Sequence, residues 1–92
     1  MIDIYKKAVD HFGCNAQLDM AVEECAELIQ AIQKYKRGCT LPVLNNIHEE
    51  IADVEIMLSQ LRIIFNTDAI DKAKEHKLKR LNAKIEAAKE RL

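Results

Sequence analysis

A chain of 92 residues with a net charge of −1 has room for one domain and presents no overall field that would draw in nucleic acid or an anionic membrane. Apolar residues make up 49% but aromatics only 4%, with two Gly and one Pro, so the core must be aliphatic and the chain reads as nearly all helix. No run approaches ~18 uninterrupted apolar residues, and the odd set Cys14, Cys25 and Cys39 lacks CxxC spacing; both features fit reduced thiols in a cytoplasmic protein.

Ile2, Tyr5, Ala8, Val9 and Phe12 repeat at helical spacing and predict a short first helix that ends at Gly13. Asn15 is placed to cap a second helix over about 16–37. Leu18, Ala21, Val22, Cys25, Leu28, Ile29 and Ile32 make its apolar stripe, and Lys34, Lys36 and Arg37 suit the negative end before Gly38. On a wheel of about 100° per residue, Glu24 and Glu27 fall on the shoulder of that stripe, near Gln17 and Met20.

Cys39 to Pro42 reads as a connector. A third helix starts near Pro42 or Val43, or at Asn46, where Asn46 to Glu49 has capping-box spacing. Val43, Ile47, Ile51, Val54, Leu58, Leu61 and Phe65 form its main stripe, with Glu50 and Asp53 again on the shoulder beside Met57 and Ile64. Ala52, Ile56 and Ile63 occupy a further side, which predicts burial on two sides and hence contact with another subunit. Asn66, Thr67 and Asp68 offer caps for a last helix of about 69–91, where Leu78, Leu81, Ile85, Ala88 and Leu92 keep the spacing of a helix-pairing seam. The layout predicts a single all-α domain over residues 1–92, a four-helix antiparallel bundle that associates.

Carboxylates three apart share a helix face, so Glu24 with Glu27, and Glu50 with Asp53, each point two oxygen-rich groups one way. Packed side by side, the two helices would gather four carboxylates, an arrangement that needs a cation to offset their repulsion. Mg²⁺ suits such a set because it takes oxygen ligands and is commonly shared with substrate phosphates. Iron and zinc suit it less, since neither signature carries a His at the ligand position. The bland alternative is a pair of solvated acidic edges. Residues 67–92 hold eight Lys or Arg against five acids; Lys77, Arg80 and Lys84 share one face there and could grip phosphates, or simply lie in solvent.

The run from Gly13 to Ile32, with Glu23-Glu24-x-x-Glu27, followed by Glu49-Glu50-x-x-Asp53 and then His76 to Leu81, resembles the MazG-type branch of the all-α nucleotide pyrophosphohydrolases. The resemblance extends from about Gly13 to Ile85, and its specific part is the pair of acidic motifs. It implies a helical fold whose active site is assembled by oligomerisation, as a homodimer or homotetramer. It also implies cleavage of a nucleoside triphosphate to monophosphate and pyrophosphate with Mg²⁺ or Mn²⁺. By motif, Glu24, Glu27, Glu50 and Asp53 would be metal ligands and catalytic groups, Lys77 and Arg80 would meet phosphates, and Gln17 would contact the base or support the site. The tail signature of dimeric dUTP pyrophosphatases is absent, so no particular base is implied. Two other readings stand beside this one: a non-enzymatic helical module that binds a partner through the Ala52/Ile56/Ile63 side or the Leu78 to Leu92 seam, and an enzyme like phosphoribosyl-ATP pyrophosphatase.

Overall fold

The structure, a computed structural model, describes residues 2–91 as four helices with no strand among them: α1 (Ile2–Phe12), α2 (Cys14–Arg37), α3 (Leu41–Ile64) and α4 (Thr67–Glu90). Met1 and Leu92, the last member of the predicted seam, lie outside the described residues, as does the side chain of Ile2. No helix among those described is long and apolar enough to cross a membrane.

Local chemistry sets the boundaries. Gly13 takes φ 92°, a region that disfavours any side chain, and breaks the chain sharply between α1 and α2. Its N–H still closes α1 on the Val9 carbonyl at 2.9 Å, and its carbonyl accepts the Gln17 N–H at 3.1 Å. With Gly13 capping, α2 begins at Cys14, two residues earlier than Asn15 capping would place it. Likewise α3 starts at Leu41, because Thr40 rather than Asn46 caps it and Pro42 fits the first turn, where its missing N–H has no helical partner to lose. Asn66 caps α4 through Ala69 N–H at 3.0 Å. An Arg62–Asp71 ion pair at 2.7 Å and a Thr67 hydroxyl bond to the Arg62 carbonyl at 2.9 Å hold the α3–α4 corner.

Two helices of 24 residues, each about 36 Å long, are joined by the short link at Gly38–Thr40 and pack antiparallel as the body of the fold, with α1 laid against both. The seam between α2 and α3 buries Ala21, Ala31 and Met57 together with Gln17 and Gln60. Of these only Ala21, at its edge, belongs to the α2 stripe; the others stand on the shoulders. The other stripe residues are left half-buried or open: Val22 is 70% exposed and Ile29 61%, and Ile51, Leu58 and Phe65 also face outward. The cysteines, among them Cys25 of the α2 stripe, are all exposed.

The reason lies in side-chain size. Ala21 and Ala31 let the two backbones approach on the shoulder face, whereas Val22, Ile29 and Ile32 would hold them apart. The fourth helix takes no part in this body. It touches only α3, buries none of its described residues, and gives the chain a radius of gyration of 16.9 Å, against about 12 Å for a compact domain of this length.

Candidate metal and phosphate site

One polar contact in the seam marks the antiparallel register. Gln17 and Gln60 are both buried, and the Gln17 amide donates to the Gln60 carbonyl oxygen. The Gln60 amide in turn reaches the Met57 sulfur at 3.7 Å. Two helical turns further along each strand of that register stand Glu24 on α2 and Asp53 on α3, and the next matched position sets Glu27 against Glu50. The two acidic motifs are thus brought opposite each other by the same alignment that pairs the glutamines.

Ligand oxygens of Glu24, Glu27 and Glu50 lie within 4.8 Å of one another. Glu27 is exposed at the mouth of the cluster, while Glu24, Glu50 and Asp53 are half-buried. One oxygen of Glu24 and one of Glu50, both Oε2, are shielded from solvent and have no hydrogen-bond partner. Shielded carboxylate oxygens without donors are costly. The cost appears in their protonation: partial burial, then the charge of Glu27, Asp53 and Glu50, and a hydrogen-bonding contact with Asp53, push the Glu24 carboxyl up to about 7. Burial, followed by the neighbouring Glu27, also raises Glu50.

This donor set fits a hard divalent cation. It is all oxygen, it carries several negative charges within one coordination sphere's reach, and its two orphaned oxygens lack the partner that a cation would be. No His or Cys joins the cluster among the described residues.

The basic candidates are elsewhere. Lys77 and Arg80 are exposed on α4, which makes no contact with α2, and neither forms an ion pair among the described residues. A single chain therefore does not bring them to the carboxylates. Gln17 lies on the acidic face as expected, but its amide is committed to Gln60 inside the seam. Gln60 was not among the sequence candidates. Its signal was present in the spacing, since it follows Asp53 by seven residues as Gln17 precedes Glu24 by seven.

The glutamine pair makes a testable contribution to register. Gln17→Leu strands the Gln60 side-chain carbonyl oxygen in a buried seam and is expected to destabilise the fold by ~1–3 kcal/mol. The double variant Gln17→Leu/Gln60→Leu removes both polar groups and should lose clearly less than the sum of the single changes, measured by urea unfolding of all four members of the cycle.

In comparisons with known proteins, the chain matches no family model, no curated protein and no solved structure.

Proposed function

We propose that this chain is a Mg²⁺-dependent nucleoside triphosphate pyrophosphohydrolase of the MazG type, acting as an oligomer and converting a (d)NTP to the (d)NMP and pyrophosphate. The single observation that carries the reading is the seam itself: one register aligns both acidic motifs and leaves two shielded carboxylate oxygens without a partner. A solvated acidic edge would turn its oxygens to water.

Glu24, Glu27, Glu50 and Asp53 would hold Mg²⁺, or Mn²⁺ in its place, which when bound supplies positive charge between the carboxylates and the triphosphate and makes water more acidic. Glu27, the exposed member of the four, would orient a water toward the α-phosphorus. The water oxygen forms a new bond to that phosphorus, the bond to the bridging oxygen breaks, and pyrophosphate leaves with the electron pair. The proton lost by the water passes to a carboxylate and then to solvent. Lys77 and Arg80 would offset phosphate charge, and because α4 stands clear of its own α2 they would come from a neighbouring copy.

The reading is tested before any substrate is known by melting the protein with increasing Mg²⁺, alone and with a non-hydrolysable nucleoside triphosphate. A cation that binds only the folded state raises the melting temperature. No response to either addition would favour a partner-binding helical module instead.

A further inference from the structure

A hollow that the carboxylate cluster does not use opens where α1 ends and α2 begins. Phe12, Ala16, Gln17, Asp19, Met20 and Glu23 line it, and its volume is about 430 Å³, within the range of small-molecule sites. Ala16, Asp19, Met20 and Glu23 stand at i, i+3, i+4 and i+7 on α2, the corners of one hole on a helix surface. Ala16 is the small corner, so the hole stays open there. The break at Gly13 sets Phe12 at its end, and that ring, 62% exposed, meets His11 edge-on at a centroid distance of 4.7 Å. Phe12 and Met20 thus offer the kind of apolar platform on which a base stacks, whatever its identity.

The polar side chains discriminate between bases. Asp19 and Glu23 are exposed, neither is in an ion pair among the described residues, and carboxylates accept hydrogen bonds without donating any. Gln17, only 6% exposed, gives its amide nitrogen to Gln60, and among the described residues its carbonyl oxygen accepts no hydrogen bond. Every polar side-chain atom left free in the hollow is therefore an acceptor. Its complement is a flat ring that presents donors along one edge. Guanine does so, with its ring N1–H beside the exocyclic amino group, a pair that one carboxylate takes in two parallel bonds. Uracil and thymine set carbonyl oxygens on both sides of a single ring N–H, and those oxygens would meet like charge.

Position joins the hollow to the carboxylates. On a wheel of about 100° per residue, Ala16, Met20, Glu23 and Glu27 fall within about 60° of one another, so the hollow runs along α2 into the open side of the cluster, where Glu27 stands. Met20 and Ala16 precede Glu24 by about 6 and 12 Å of helix axis. A nucleoside bridges that interval between its base and its α-phosphorus.

We infer that this hollow receives the base of the triphosphate and selects guanine, with Phe12 and Met20 against the ring and Asp19 and Glu23 accepting from its donor edge. The inference rests on the reading of the carboxylates as a nucleotide site and adds the base, which the acidic motifs do not specify.

The test is calorimetric binding of the non-hydrolysable α,β-imido analogues of GTP, ITP and UTP to the full chain in Mg²⁺. The first two differ only in the 2-amino group, so comparing them isolates the donor edge. The GTP analogue is expected to bind at least about tenfold tighter than either of the others, because a site built to accept from an amino group rejects the base that lacks it. Asp19→Asn and Glu23→Gln keep the size of exposed side chains, and at least one of them should bring the GTP and ITP analogues to within about threefold of each other. Phe12→Ala should weaken all three analogues alike, by about tenfold. Equal affinity for the three, a preference for the ITP or UTP analogue, binding of none, or no narrowing in either acidic variant would each overturn the inference. The enzymatic reading fails on a different result. A chain that prefers the GTP analogue yet releases no pyrophosphate from any nucleotide keeps the base hollow and loses hydrolysis, whereas pyrophosphate released at equal kcat/KM from GTP and UTP keeps hydrolysis and overturns the selection of guanine.

Discussion

Glu50→Gln is expected to keep all four helices and to lower Mg²⁺-dependent triphosphate hydrolysis by ~10³-fold or more, equivalent to ~4 kcal/mol of transition-state stabilisation. Gln has the shape of Glu, so the half-buried position in the seam stays filled. What changes is the orphaned oxygen: a neutral amide supplies one weak acceptor where a carboxylate supplied a full charge. The same substitution removes one source of repulsion from a cluster whose members raise one another's protonation, so the metal-free variant should melt above the metal-free native chain. Loss of turnover with gain of stability is a pairing that a merely structural residue would not give. Far-UV circular dichroism, a melting curve and a pyrophosphate assay on the same preparation read all three effects. Unchanged turnover would remove Glu50, and with it the motif, from the site.

The second large effect links pH to the cation. Glu24 titrates near 4.5 when unfolded and near 7 in the folded chain, so between those values the folded state holds the extra proton. Stability of the metal-free protein is then fullest below about 4.5 and declines as pH rises toward about 7, with Glu50 adding in the same direction. Divalent binding works against that decline because it takes the deprotonated cluster and displaces the proton. At Mg²⁺ a hundredfold above its dissociation constant, the stabilisation is ~2.7 kcal/mol, or roughly 10–20 °C for a domain of this size. Melting curves from pH 4.5 to 8, with and without Mg²⁺, should diverge as pH rises, and calorimetric titrations in buffers of different ionisation enthalpy should register proton release near pH 6.5. Parallel curves with no proton release would mean that the carboxylates do not share a cation.

Much of this arrangement was legible from spacing alone. Four helices follow from helical periodicity, and spacing alone sets Glu24, Glu27, Glu50 and Asp53 on shoulder positions. Two things were not legible. Periodicity reports which face is apolar but not which face the chain's own neighbour takes; small Ala21 and Ala31 decide that by allowing close approach, and they turn the acidic shoulders inward while Val22 and Ile29 turn out. Capping competition likewise cannot be settled by residue type, since Gly13 and Thr40 prevail over Asn15 and Asn46 through backbone geometry at the helix joins. The fourth helix illustrates a limit of a different kind. Its seam is plain in the sequence, but spacing does not say what the seam packs on, and within the chain α4 touches only α3 and buries none of its described residues.

The central claim is that two acidic motifs, aligned by one helix seam, make a site that hydrolyses nucleoside triphosphates between the α- and β-phosphates. It is tested most directly by incubating the purified chain with each common (d)NTP and Mg²⁺ and measuring the released products. The account predicts pyrophosphate and the monophosphate in equal amounts from at least one nucleotide, abolished by chelation of the metal. Release of orthophosphate instead, or no product from any nucleotide in the panel, would contradict it.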